Sequence, residues 1–175
     1  MTRVSPRPDH RTVTSLRAMS MNRAFTPTVR VQTDDFDIAA EVAAIGRITG
    51  IGAIVTFTGI CRDEGGRLAA LELEHYPGMA ESEIARIAKE AVTRWPLDGV
   101  TVVHRFGRIA VGDNIVLVIT ASSHRDAAFE AARFIMDFLK TNAPFWKKEH
   151  PAVAVTGDWV AARSVDDEAV ERWKR

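Results

Sequence analysis

The chain has 175 residues, 46% of them hydrophobic, and its 23 lysines and arginines are balanced by 23 acids. That length fits one domain of roughly 100–200 residues plus a tail, and no stretch approaches the ~18 consecutive apolar residues of a membrane span. A single cysteine, Cys61, excludes an internal disulfide, and no Cys/His spacing resembles a zinc site, so the expected compartment is the reducing cytoplasm.

Charge is unevenly placed. The first thirty residues hold Arg3, Arg7, Arg11, Arg17, Arg23 and Arg30 against one acid, Asp9, so the remaining body is acidic. An acidic body argues against a general nucleic-acid binder, whose phosphate contacts need a broad basic surface. Residues 1–27 are expected to form a disordered basic leader and residues 28–175 one folded domain. The leader lacks the amphipathic apolar face of an organelle transit peptide, and Met19 and Met21 leave a later translation start open.

In chain order, residues 29–32 alternate like a short strand, and Thr33, Asp34 and Asp35 are placed to cap a helix reaching about Ile45, with Phe36, Ile38, Val42 and Ile45 on one face. Gly50 and Gly52 break it and read as turn residues. Residues 53–60 predict a buried strand, and the polar turn 62–67 leads into a strand over 68–75, a pairing that predicts a hairpin with a mobile loop. Met79, Ile84, Ile87, Ala88, Ala91, Val92 and Trp95 recur at helical spacing until Pro96. Residues 100–106 and 114–121 predict a second hairpin, in which His104 and Arg105 alternate faces and are expected to be half-exposed. A helix over 125–140 carries Ala128, Phe129, Ala132, Ile135, Met136 and Leu139 on one side and stops before Pro144. A short strand near 153–160 and a charged helix near 166–173 complete the chain. Hairpins outnumber strand–helix–strand crossovers, so the fold class is α+β with a largely antiparallel sheet and packed helices. No glycine run opens a helix as a dinucleotide or P-loop cradle does.

The chemistry is concentrated where Lys140, Lys147 and Lys148 flank a proline-broken turn. Solvated surface charge is the plain reading of such lysines. A lysine acting as base or nucleophile must be partly neutral near pH 7, well below its ordinary ~10.4, and the carbonyls at a helix end oppose that. Other cations would have to crowd it. His124 and Arg125 stand where a strand hands over to a helix, a place that attracts anions, although a helix cap and a surface ion pair explain them equally. Arg62 ends a strand and can project into a cleft, or serve as an ordinary loop charge. Cys61 reads as a packing residue. The run from His75 through Tyr76 and Pro77 to Gly78 reads either as a site or as a strand-ending turn, while Asp34/Asp35 and Asp166/Asp167 read as helix starts, leaving no carboxylate dyad.

Four segments together resemble the large-subunit (MoaE) family of molybdopterin synthase. They are Val55-Thr56-Phe57-Thr58-Gly59 with Arg62; Leu73-Glu74-His75-Tyr76-Pro77-Gly78-Met79; Ser123-His124-Arg125 with Ala128-Phe129; and Phe138-Leu139-Lys140-Thr141 through Ala143-Pro144-Phe145-Trp146-Lys147-Lys148-Glu149. The resemblance spans residues 28–173. It implies an α/β-hammerhead-like fold, a homodimer within a heterotetramer, and a small ubiquitin-like sulfur carrier that threads a Gly-Gly thiocarboxylate tail into the site. The implied activity is a sulfurtransferase acting on cyclic pyranopterin monophosphate, without metal or cofactor. The resemblance also implies catalytic roles for Lys140 and Lys147, and anion binding by Arg62, His124 and Arg125. Ile60, Cys61, Lys148 and Glu149 would line the substrate pocket. Phe57 would lie beside the carrier tail, and Arg163 would contribute from a neighbouring protomer. Two rival readings are a non-catalytic module that captures a ubiquitin-like tail, and a different phosphate-ligand enzyme on the same scaffold.

Overall fold

The computed structural model describes residues 25–63, 65–152, 158–160 (backbone only) and 171–173. Most of the leader, nearly all of the expected C-terminal helix, and Arg163 lie outside the described residues.

Eleven elements follow in order: β1 (Thr28–Gln32), α1 (Ile38–Gly46), β2 (Ala53–Ile60), β3 (Leu68–His75), α2 (Met79–Arg94), β4 (Gly99–Arg105), β5 (Gly107–Ala110), β6 (Asn114–Ser122), α3 (Arg125–Thr141), β7 (Phe145–Pro151) and β8 (Asp158–Val160). They build two four-stranded sheets, ordered β1-β4-β6-β2 and β5-β3-β7-β8. Among the described residues only β1 and β4 pair in parallel, so the expected α+β fold with a largely antiparallel arrangement is observed.

Both faces of the first sheet are covered. Val100, Val102, Val116 and Val118 pack against Ile84, Ile87, Ala91, Phe134, Ile135 and Leu139 of α2 and α3. Val103, Leu117, Ile119 and Ala121 point the other way, onto Phe36 and Ile45 beside and within α1. Each of the valines, leucines, isoleucines and phenylalanines so buried contributes roughly 1.5–3 kcal/mol, and cover on both faces explains why β4 is buried along its whole length. This overturns the expectation for His104 and Arg105, each only 8% exposed. Alternation predicts half-exposure only when one face meets water.

The helix before β2 starts later than predicted. Asp37 is its N-cap, with Oδ1 accepting from the amides of Ala39 at 2.9 Å and Ala40 at 3.1 Å. Phe36 therefore precedes the helix and plugs the core.

The predicted hairpin of β2 with β3 does not form. β2 pairs with β6, whereas β3 pairs with β5 and β7, and residues 61–67 carry the chain from one sheet to the other. The crossing is organised by Asp63, whose carboxylate accepts from the amide of Gly66 at 2.8 Å. The second predicted hairpin is present as the β4–β6 pair, but its connection buds off β5, which joins β3 in the other sheet. β7 was legible only as a turn and a lysine cluster, yet it is an inner strand of the second sheet, between β3 and β8.

Candidate functional site

The predicted site residues fall at two ends of the first sheet. β6 runs from Asn114 to Ser122 and α3 folds back along it, held at the start by the Thr120 hydroxyl donating to the Ala128 carbonyl at 2.7 Å. α3 has 17 residues, so Arg125 and Lys140 lie roughly 22 Å apart along its axis. β2 is antiparallel to β6, with Ala53 opposite Ser122 and Ile60 opposite Asn114. Arg62 consequently leaves the sheet at the end where α3 finishes, and His124 and Arg125 occupy the far end. A single chain does not unite all the predicted cations.

At the far end, the backbone approaches closely. Gly52 donates to the Ser122 carbonyl at 3.0 Å, and a Cβ at Gly52 would lie 2.4 Å from the Ser123 carbonyl oxygen. Only glycine admits that contact, so Gly52 is a spacer that sets the Ser123–His124 turn; from the sequence it read as a helix-breaking turn residue, with no sign of this close approach. His124 is the N-cap of α3 but makes no side-chain cap hydrogen bond, and its amide is instead bound by the Ser122 hydroxyl at 3.2 Å. Arg125 pairs with the adjacent Asp126 at 3.5 Å, with both side chains more than four-fifths exposed, and so strongly solvated a pair holds the guanidinium weakly. Both side chains face solvent at a helix N-terminus.

At the lysine end, the two sheets meet. The amide of Cys61 donates to Asp113, and Gly112 donates back to Cys61, both at 2.8 Å, which pins the end of β2 to the β5–β6 turn. The Cys61 thiol is packed with Leu73 and Ile109, and burial pushes its pKa up against a backbone hydrogen bond from Leu71 that lowers it. It is a packing residue, as expected, and Ile60 beside it is exposed. Across the β3–β7 ladder, Leu73 is the partner of Lys147, Leu71 of Glu149, and Glu72 of Lys148. Strand alternation therefore puts Lys147 and Glu149 on the face that carries buried Leu73, toward the first sheet, and Lys148 on the opposite face. On that outer face His150 Nε2 lies 2.6 Å from Glu72 Oε2. Lys140 occupies the last turn of α3, exposed, and only residues 141–146 separate it from Lys147.

Several residues behind the lysines escaped sequence reading. His104 stacks on Phe145, and burial, with smaller contributions from the Lys147 and His75 charges, pushes its pKa down from 6.5 to about 4, against a raising hydrogen bond to Arg105. Arg105 donates to the carbonyls of Thr33 at 3.0 Å and Asn114 at 2.9 Å. Asn114 in turn donates to Asp35 at 3.0 Å, the main cause of that carboxyl's lowered pKa, with the Phe36 amide and Arg105 adding to it. These bonds tie the β1–α1 loop to the strand end from which Arg62 departs. A charged residue on an apolar strand was the one available signal.

Phe57 is 39% exposed on β2, an edge strand of the first sheet. No group of three or more metal-ligating side chains occurs among the described residues.

An α+β domain of two four-stranded sheets, with Arg125 and Lys140 at opposite ends of α3, is the class of protein that the fold defines. The chain belongs to the MoaE family of molybdopterin synthase catalytic subunits: the family model described as MoaE protein matches residues 31–142. It is 67% identical over 149 residues to the molybdopterin synthase catalytic subunit of Rhizobium meliloti, covering 85% of this chain and 96% of that protein. It is 62% identical over 156 residues to that of Mesorhizobium japonicum, covering 88% and 98%. Among solved structures, the molybdopterin cofactor biosynthesis protein E from Burkholderia multivorans superposes with a TM-score of 0.74 at 51% identity, covering 86% of this chain and 99% of that one.

Proposed function

We propose that the chain is the sulfur-transferring subunit of a two-component sulfurtransferase, working in the cytoplasm on cyclic pyranopterin monophosphate. The sulfur arrives as the C-terminal thiocarboxylate of a small ubiquitin-like carrier ending in Gly-Gly. Each transfer forms one carbon–sulfur bond on the pterin side chain in place of one carbon–oxygen bond, whose oxygen leaves on the phosphate or as water, and cleaves one acyl–sulfur bond, with water returning the carrier tail to a carboxylate. Two transfers make the dithiolene of molybdopterin.

The observation that carries this reading is the placement of Lys140 and Lys147 on either side of one short turn, at the end of the first sheet where Arg62 emerges. In the proposed division of labour the two lysines move protons and stabilise charge at the reacting carbon, while the arginines and His124 hold phosphate and pterin oxygens. Ile60, Cys61 and Glu149 lie on segments bordering the lysine end; Phe57 and Arg163 are assigned to the carrier tail and a neighbouring protomer. Packed Cys61 fits a reaction in which the sulfur is already activated on its carrier.

The separation of Arg125 from Lys140 along α3 supports a homodimer, in which His124 and Arg125 of one copy complete the lysine end of the other. The name catalytic subunit carried by these relatives supports a further subunit, here assigned as the carrier, and one carrier on each copy of the homodimer would make a heterotetramer. The reconstituted reaction tests the reading. Thiocarboxylated carrier plus cyclic pyranopterin monophosphate should yield molybdopterin with the wild-type chain and none above background with Lys140→Ala, whose carrier binding stays intact. Carrier binding without product from the wild type would leave only a tail-capturing module.

A further inference from the structure

Phe145 is gripped by two imidazoles from different sheets. His104, buried at the end of β4, lies flat on it with ring centroids 4.0 Å apart and planes tilted by 13°. His75, at the end of β3, is its register partner, with ring centroids 5.7 Å apart, and meets Phe106 edge-on at 4.5 Å. Phe145 opens β7 two residues before Lys147 and shares its face of the strand.

We propose that His104 is a positioning residue for the sulfur transfer: by stacking on Phe145 it fixes the start of β7 and so sets Lys147 against Lys140. The inference rests on the catalytic reading of the two lysines given above. Lys140 has little freedom to compensate, because its neighbour Leu139 is sunk in the core formed by α2, α3 and the first sheet. Phe145 is the first side chain after Pro144 with partners on both sheets, so it decides where the strand carrying Lys147 begins. The imidazole is itself held in place, because its Nδ1–H donates to the Arg105 carbonyl at 2.9 Å. Burial keeps the ring neutral, so it can sit near Lys147 without bringing a charge of its own.

The test uses two pairs of variants in the full chain, assayed with its thiocarboxylated carrier: His104→Ala against His104→Phe, and Phe145→Leu against Phe145→Tyr. Positioning predicts that the two stack-deleting variants lose at least about tenfold in kcat with carrier affinity unchanged, and that the two aromatic variants stay within about threefold of wild type. A second readout is the rate at which an amine-acylating reagent labels Lys147 relative to exposed Lys89, followed by peptide mass spectrometry. Deleting the stack should change that ratio severalfold. Folded stack-deleting variants with unchanged kcat and unchanged labelling would overturn the proposal, as would equal losses in the alanine and phenylalanine variants of His104. Should His104→Ala fail to fold, the Phe145 pair decides. Should the wild type itself make no product, the sulfur-transfer reading fails and the labelling ratio alone judges the positioning, with an unchanged ratio overturning it.

Discussion

Lys147 and Leu73 are direct partners across the β7–β3 ladder, and Leu73 is 1% exposed, so Lys147 stands on the face of the second sheet that turns toward the first. Lys148, paired with Glu72, stands on the other face. Adjacent lysines of the same type therefore have different surroundings. We expect Lys147→Ala to lower turnover by about 10²–10⁴-fold, the range for loss of a proton-transferring group, and Lys148→Ala by less than about tenfold. Steady-state kinetics on both variants checks this; comparable losses would mean that strand alternation does not sort the two lysines.

The Gly52 contact gives a prediction at the opposite end. Gly52→Ala puts a Cβ against the Ser123 carbonyl oxygen, 2.4 Å away before any relaxation, and the atom it meets is backbone. The turn carrying His124 must shift. Stability should fall by about 1–3 kcal/mol, and KM for the pterin should rise more than kcat falls, because the anion-holding residues move while the lysines stay. Denaturant unfolding together with steady-state kinetics measures both, and an unchanged KM would separate this turn from substrate binding.

His104 makes stability depend on pH in a definite direction. Its folded pKa of about 4 lies below the ordinary 6.5, so the unfolded chain binds this proton and the folded chain does not. The contribution is fully present above about pH 6.5, is lost progressively as pH falls toward 4, and is flat below that. The difference corresponds to about 3 kcal/mol across the window. His104→Phe should flatten this part of the curve. Chemical denaturation between pH 7 and 4 on both proteins checks it, and equal slopes would show that other groups set the acid limit.

The sequence revealed α2 and α3 because their apolar residues recur at helical spacing beside clear stops at Pro96 and Pro144. It also pointed to the lysines, Arg62, His124 and Arg125 through a family pattern that composition could not supply. It failed where the physics is non-local. β2 looked like half of a hairpin because β3 follows it closely, but its partner β6 begins at Asn114, and nothing in residues 53–75 encodes that pairing. β7 was missed because Phe-Trp-Lys-Lys-Glu-His reads as charged and irregular, although β3 and β8 supply its ladder partners. His104 and Arg105 were misplaced because ionisable side chains are rarely buried, whereas here backbone carbonyls receive their N–H groups. The two-ended placement of the cations was invisible without the antiparallel run of α3 along β6.

Subunit mixing tests most directly whether the lysine end of one copy works with the anion-holding end of another. Lys140→Ala and Arg125→Ala proteins, each with little activity at limiting substrate, would be unfolded and refolded together with the carrier. If sites are shared between copies, half of the resulting dimers are mixed and each has one intact site, so activity should return to about a quarter of wild type. Activity that stays at the average of the two parent proteins, with mixed dimers verified by native mass spectrometry, would contradict the account.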